Sequence, residues 1–251
     1  MTRSIQTVED LLVMLDGMFV PEADRWTGRG ASWWDDFYAD RDSSVPFFRP
    51  APDESLVAWH ADGRIEKRSG ARVLDLGCGP GRNAVWLAQH GYRVDALDLS
   101  STALVWGRER AAAAGVGVDF HQADVFAWSS PEPYDLVVDS GCFHHLPPHR
   151  RISYRQLLER VLAPGGCLAL SAFASGHMGS EAPDEAFYRE GRLAGGLAYS
   201  ADDLRASFGW LAELELRPMR ELADDAPAFG KDFLWVGLFR RAMIDAEEGV
   251  I

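Results

Sequence analysis

The 251-residue sequence predicts an α/β fold built on a doubly wound, mostly parallel sheet of about seven strands. Three observations carry that expectation. From Ala71 to Phe173, short β-branched runs alternate with longer helical patterns, the mark of successive βαβ units. Within that stretch, Val73-Leu74-Asp75-Leu76 runs into Gly77-Cys78-Gly79-Pro80-Gly81, a strand turning through closely spaced glycines into a helix. The length and the 47% apolar content suffice for one continuous core with attachments.

The elements follow in order. Thr7 to Leu15 reads as a short amphipathic helix. Trp26 to Phe48 is crowded with aromatic residues, and Trp33, Trp34, Phe37 and Tyr38 fall at helical spacing. A helix from Glu54 to Arg68 leads to the first strand. Strands are expected at Arg72 to Leu76, Arg93 to Asp98, Val116 to Gln122, Tyr134 to Asp139 and Gly166 to Phe173. Helices lie between them near Asn83 to His90, Ser100 to Ala114 and Arg150 to Leu162. Pro164-Gly165-Gly166 is expected to end the last of these, since proline cannot continue a helix and glycine accepts positive φ. The Gly-, Ser- and Pro-containing stretch 174–199 is too long for an ordinary connection and reads as an insertion. Ser200 caps a helix at Ala201 to Phe208, and Leu211 to Arg217 and Phe233 to Arg240 close the sheet. Residues 1–53 thus read as an N-terminal aromatic-rich helical lid, and 54–251 as the core that carries the insertion.

Charge narrows the partners. Against 25 Lys plus Arg stand 38 Asp plus Glu, a formal charge of −13, and no basic run occurs anywhere. Such a chain has no basic stripe for a phosphate backbone or an anionic membrane surface, so a small molecule is the expected partner and nucleic acid and membrane are not. Apolar runs such as Cys167 to Ala174 fall far short of the roughly 20 residues a spanning helix needs, and Met1 to Asp10 lacks a signal peptide's apolar centre. A cytoplasmic location is expected. The 3 cysteines, Cys78, Cys142 and Cys167, form no CxxC pair and are expected to stay reduced.

The glycine turn carries the sharpest chemistry. Residues without Cβ let backbone approach a ligand closely, and the following helix presents free N–H groups and the positive end of its dipole. The spacing is GxGxG; the third glycine of a dinucleotide fingerprint would fall at position 82, which is Arg82. Asp75 at the strand's end suits an ammonium group and would repel a pyrophosphate. From Ala71 to about Phe173 the sequence resembles the class I S-adenosylmethionine-dependent methyltransferases, which have a Rossmann-like fold. The resemblance implies that Asp75, Gly77, Cys78, Gly79 and Gly81 line the methionine part of S-adenosyl-L-methionine. It implies that Asp98, with Leu99 beside it, accepts from both ribose hydroxyls, as a carboxylate can. Asp124 matches the acid that accepts from the adenine amino group, with Val125 against the ring. Asp139-Ser140-Gly141-Cys142-Phe143-His144-His145-Leu146 matches the segment bordering the methionine end and the acceptor, which places Ser140 at the cofactor. Trp34, Tyr38, Pro46-Phe47-Phe48 and Leu56 are similar in order to the N-terminal lid of thiopurine and thiol or halide methyltransferases, with Trp34 over the cofactor. The glycine loop with Arg82-Asn83 and Gly91-Tyr92-Arg93-Val94-Asp95-Ala96 is similar to tellurite-resistance methyltransferases.

Cys142, His144, His145 and His149 invite a metal reading, but ligands must converge on one point and adjacent residues point apart, so no metal is expected. His144 or His145 is expected to face the pocket. If the acceptor needs a base, His144, His145 and Tyr38 are the candidates. The expected function is methyl transfer from S-adenosyl-L-methionine to a small-molecule O, N or S nucleophile, with a soft or thiol-like acceptor favoured and S-adenosyl-L-homocysteine as product. The alternatives are a nicotinamide-dependent oxidoreductase and a non-catalytic binding module on the same fold.

Overall fold

The computed structural model describes residues 4–66, 68–193 and 195–243. The ends of the expected lid and core segments, 1–3 and 244–251, lie outside the described residues. Along the chain run α1 (Val8–Asp16), α2 (Ala31–Ala39), α3 (Glu54–Ala61), β1 (Arg72–Leu76), α4 (Arg82–Gln89), β2 (Arg93–Asp98), α5 (Ser101–Ala114) and β3 (Asp119–Gln122). Then come β4 (Tyr134–Ser140), α6 (Arg150–Val161), β5 (Leu162–Phe173), α7 (Asp184–Glu190), α8 (Ala201–Phe208), β6 (Ala212–Pro218) and β7 (Leu234–Arg240). The 7-stranded sheet has the order β3-β2-β1-β4-β5-β7-β6. Strands β1 to β5 pair in parallel, and β7 runs antiparallel between β5 and β6.

The apolar alternation along each strand sorts the core into two layers. Leu74, Leu76, Val137, Leu168 and Leu170 pack on one face with Leu157 and Leu158 of α6 and Phe208 of α8. Val73, Ala96, Leu136 and Val138 pack on the other with Leu56 and Trp59 of α3, Leu87 of α4 and Leu104 of α5. The chain reverses its order across the sheet between β1 and β4. A crevice opens there, beyond the carboxyl ends of the strands, and ligands of open α/β sheets bind at such a point.

Four boundaries depart from the sequence expectation, each for a local reason. Helix α3 stops at Ala61 rather than Arg68, because Gly63 takes φ +69° and the amides of Arg64 and Ile65 both turn back to Trp59 O; Lys67 lies outside the described residues. Strand β3 begins at Asp119, not Val116: Gly115 takes φ +69° and Val116 N donates to Ala111 O, so the chain here finishes α5. The sequence Pro164-Gly165-Gly166 does not separate helix from strand. It lies inside β5, where a register irregularity opposes it to Tyr134–Leu136 and Arg241 bonds both Gly165 N and Gly166 O. The stretch 174–199 contains the helix α7 and is pinned by bridges Ala174↔Tyr199 and Ser180↔Leu197. Among the described residues no helix is long and apolar enough to cross a membrane.

Two of the places at which the segment before α3 packs onto this frame bear on the site. Helix α2 lies against α5: Asp35 accepts from Thr102 N at 2.9 Å and Ser100 Oγ at 2.7 Å, capping α5, while Tyr38 and Phe48 are buried beside Ala103. Helix α1 ends in Asp16, a buried carboxylate that accepts from Trp26 Nε1 at 2.7 Å and pairs with His149 Nε2 at 2.8 Å and with the Arg150 guanidinium. Hydrogen bonds from these three residues, with the charge of Arg150, hold the carboxyl down at about 2 against the opposing cost of burial. Tyr188 of α7 joins the cluster through its hydroxyl, 3.0 Å from His149 Nδ1.

Candidate active site

The glycine turn opens the crevice. Gly77, Gly79 and Gly81 take φ of +62°, +52° and +71°, and Gly81 is the N-cap of α4. A Cβ on Gly79 would lie 2.9 Å from the Tyr38 hydroxyl, and one on Gly77 3.0 Å from Cys142 Cβ. Glycine is therefore required by space as well as by backbone conformation. Asp98 anchors the turn from β2: Oδ2 accepts from Gly79 N and Oδ1 from Ser100 N, both at 2.8 Å. Burial raises its pKa to about 6, although those backbone donors pull the other way. Each oxygen keeps a lone pair for a further donor, and Asp98 and Leu99 line the cavity that begins here.

Asp75 is buried in the same cavity and its Oδ2 has no hydrogen-bond partner. Burial and the neighbouring Asp53, Asp139 and Asp98 push its pKa up to about 8, against the pull of Arg82. A buried carboxyl oxygen without a partner costs about 1–3 kcal/mol or more, so its persistence points to a donor supplied from outside the chain.

Arg82, to which the sequence assigned no role in the site, is the polar centre of the wall. Its Nη1 lies 2.7 Å from Asp53 Oδ1, its Nη2 donates to Ser140 Oγ at 2.7 Å, and its guanidinium lies 4.4 Å from the Phe229 ring centroid. One side chain thus joins the segment before α3, the end of β4 and the β6–β7 connection.

The cavity encloses about 370 Å³ and runs from this loop to an aromatic chamber. Of the residues expected to line it, Asp75, Gly77, Cys78, Gly79, Asp98, Leu99, Val125, Ser140, Trp34, Tyr38, His144 and His145 all do so. Asp124 and Gly81 do not. Asp124 Oδ1 accepts from Phe126 N at 2.9 Å and caps a 3₁₀ turn, while its neighbours Ala123 and Val125 line the cavity. A Cβ on Gly81 would meet Phe120 and Gly107 behind the loop.

Trp34, Phe37, Tyr38 and Phe47 of the N-terminal segment form one side of the chamber, and Phe173, Phe229 and Phe233 the other. No periodicity connects these distant segments, and only the aromatic excess before residue 50 signalled any of them. Two cations border the chamber and both are engaged: Arg82 as above, and Arg25, which donates to Glu22 O and Asp24 O and lies 3.8 Å from the Trp33 ring centroid.

The post-β4 turn is shaped by Asp139, whose carboxylate accepts from Cys142 N at 2.8 Å and from the Tyr154 hydroxyl at 2.7 Å. It presents both histidines to the cavity. His144 stacks on Phe173 with centroids 3.6 Å apart, and His145 meets Trp34 edge-on at 5.1 Å. Burial and the adjacent imidazole push His144 down, and burial takes His145 to about 4. Both are neutral at neutral pH and weak as bases. His149 turns away to Asp16, and among the described residues no group of three or more candidate ligands could hold a metal ion.

Four parallel crossovers, a glycine turn at the switch point and an antiparallel closing pair define a Rossmann-like S-adenosylmethionine-binding fold rather than a dinucleotide one. The comparisons with known proteins agree. A family described as methyltransferase domain matches residues 73–166. The trans-aconitate 2-methyltransferase of Methylobacterium nodulans is 39% identical over 124 residues, 49% of this chain and 43% of that protein. An uncharacterized methyltransferase of Schizosaccharomyces pombe is 32% identical over 103 residues, covering 41% of this chain and 71% of its own. A solved structure concerned with conversion of a disulfide bond into a thioacetal group during echinomycin biosynthesis is 30% identical with a TM-score of 0.61, over 84% of this chain and 93% of that one. The chain belongs to the class I S-adenosylmethionine-dependent methyltransferases. It spans less than half the length of the trans-aconitate methyltransferase it matches.

The residues present fit the family's cofactor. The unpartnered Asp75 oxygen accepts a donor such as the amino acid ammonium, the glycine cradle leaves room for the methionine chain, and Leu99, Ala123 and Val125 offer an apolar slot for a flat base.

Proposed function

We propose that this protein transfers a methyl group from S-adenosyl-L-methionine to a small, largely apolar acceptor with a soft or readily ionised nucleophilic atom. The observation that carries the reading is one continuous cavity with an unpaired buried carboxyl oxygen at the glycine loop and an aromatic chamber at the other end. When bound, the cofactor supplies an electrophilic methyl carbon on a positively charged sulfur. Asp75 and the loop fix its amino acid end, and Asp98 with Leu99 borders the ribose. Tyr38, Trp34 and Phe173 exclude water and confine the acceptor beside the reacting carbon, which supplies rate through alignment and desolvation. Neither histidine has the basicity to remove a proton from an unactivated hydroxyl at neutral pH. An acceptor that is nucleophilic without help, such as a thiolate or a phenolate-like oxygen, suits that wall. Residues 1–53 cover the chamber in this reading, as a lid over the 54–251 core.

Trans-aconitate, for which the first relative is named, carries several carboxylates. The two arginines of the chamber are already committed to Asp53, Ser140 and backbone carbonyls, which disfavours a polyanionic acceptor here. The neighbour concerned with a disulfide and a thioacetal supports sulfur as a target.

Thermal-shift titration with S-adenosyl-L-methionine, S-adenosyl-L-homocysteine and NAD tests the cofactor. Stabilisation by the first two is expected, and a response to NAD alone overturns the reading. A screen of thiols, hydroxylated heteroaromatics, amines and trans-aconitate, read as S-adenosyl-L-homocysteine by mass spectrometry, tests the acceptor. Turnover of trans-aconitate but of no aromatic or thiol compound would remove the apolar assignment.

A further inference from the structure

We propose that His144 and His145 are held in opposite neutral tautomers, and that together they recognise an acceptor molecule carrying a hydrogen-bond donor beside a hydrogen-bond acceptor on a planar ring. The inference rests on the methyltransferase reading and names the acceptor class for the same site.

His145 Nδ1 lies 2.9 Å from Gly195 O. A carbonyl oxygen only accepts, so Nδ1 carries the hydrogen and Nε2 the lone pair. His144 is arranged the other way round. Its Nδ1 is buried with no partner, and it has no hydrogen bond from Nε2 among the described residues. An N–H left without an acceptor in the interior is the rarer and costlier defect, whereas an unfilled lone pair is better tolerated. Nδ1 therefore takes the lone pair, and the hydrogen sits on Nε2, the nitrogen near Gly141 on the cavity wall.

The stretch 174–199 fixes both rings. Gly195 supplies the carbonyl that sets His145, and Leu197 N donates to His144 O at 2.7 Å. Gly196 between them has no space to spare, since a Cβ there would lie 2.8 Å from the Phe173 ring and 3.1 Å from His144 Cδ2. Arg25 disfavours a protonated His145, and among the described residues no carboxylate is bonded to either ring. Two neutral imidazoles with centroids 4.5 Å apart thus offer one N–H and one lone pair to the same chamber. Aromatic walls select a flat ring, and the pair selects its edge: a lactam, a hydroxylated heteroaromatic or the corresponding thione. His145, being weakly basic, orients the donor hydrogen and does not take it.

The test begins with the unaltered protein. Long-range ¹H–¹⁵N correlation on histidine-labelled protein at neutral pH should show a protonated Nε2 for His144 and a protonated Nδ1 for His145, before and after addition of S-adenosyl-L-homocysteine. The same tautomer on both rings, or a doubly protonated ring, overturns the inference. Calorimetric titration with 2-quinolinone, N-methyl-2-quinolinone, which keeps only the acceptor, and indole, which keeps only the donor, then tests the ligand class. The first offers donor and acceptor side by side, and each of the others should bind about tenfold more weakly for lack of one of them. Equal affinities, or binding of none, remove the acceptor class. His144→Phe keeps a ring on Phe173 and should abolish the discrimination against indole, which lacks the acceptor His144 reads, while discrimination against N-methyl-2-quinolinone and S-adenosyl-L-homocysteine affinity are retained. Absence of S-adenosyl-L-homocysteine binding in the unaltered protein is a different failure, which sinks the proposed function and leaves the tautomer result standing.

Discussion

The two ends of the cavity are built by different means. At the glycine loop, a few consecutive residues do the work: three left-handed glycines, one carboxylate from β1 and one from β2, all positioned by strand register. At the aromatic chamber, side chains arrive from α2, the post-β4 turn, β5 and the β6–β7 connection, and none is near the others in sequence. The first end is fixed by backbone geometry and tolerates little change of residue type. The second is an assembly of contacts in which individual members can be exchanged. Ligand selectivity is accordingly expected to vary at the chamber and cofactor binding to stay with the loop.

Breaking the loop should give the largest effect. Asp75→Asn removes the carboxylate proposed to meet the cofactor ammonium, and S-adenosyl-L-homocysteine affinity measured by calorimetry should fall by about 100-fold. The same change relieves a buried acid crowded by Asp53, Asp98 and Asp139, so the ligand-free protein should melt at a higher temperature. A variant that loses affinity and stability together would mean that Asp75 is structural.

Acidity sharpens the same contrast. Binding a cation beside Asp75 favours its ionised form, so affinity should rise by up to about tenfold per pH unit below about 8 and level off above it, with a proton released on binding. For the free protein the sign is opposite. Asp98, Asp139 and Asp75 all titrate higher in the fold than in an unfolded chain, so the stability they contribute is full below the ordinary carboxylate range. It is lost as pH climbs to about 6 for the first two and about 8 for Asp75. Melting temperature followed with and without S-adenosyl-L-homocysteine should show the two curves diverging as pH rises.

Chamber variants should separate binding of the acceptor from binding of the cofactor. Asp16→Asn weakens the support of Trp26, and the acceptor KM should rise roughly fivefold while cofactor affinity stays within about twofold. Asp16→Glu, which keeps the charge, should restore part of it. Tyr38→Phe should change kcat by less than about threefold, because burial holds the phenol far above its ordinary pKa and makes it a poor proton acceptor. A drop of about 100-fold in kcat would reassign Tyr38 as a participant in proton transfer.

The same division explains what could be read from the sequence. Strand β1, its glycine turn, Asp98 and the capped helices α1 and α8 were legible because each is set by local rules of periodicity, capping and φ. An acid such as Asp124 at the start of a turn serves its own backbone as readily as a ligand, and position in the sequence does not separate the two. Arg82 was read as an absent glycine, although its reach to Asp53, Ser140 and Phe229 makes it a joint of three segments. Phe229 and Phe233 carry no local signal, since only the antiparallel return of β7 brings them to the chamber. The glycines of Pro164-Gly165-Gly166 announce flexibility without saying whether a turn or a strand irregularity uses it.

Asp16 has a consequence for traffic in and out of the enclosure. Separating that carboxylate from Arg150 and His149 would strand buried charge at a cost of several kcal/mol, so the stretch from α1 to Trp26 moves only with the body of the protein. Helix α2 is tethered more lightly, by the half-exposed Asp35 and by ring contacts. On that difference, α2 with residues 40–48 is the part of the N-terminal segment expected to move, and the stretch up to Trp26 is expected to stay in place. Amide exchange should accordingly be faster across α2 than across α1, and bound S-adenosyl-L-homocysteine should slow it in α2 alone.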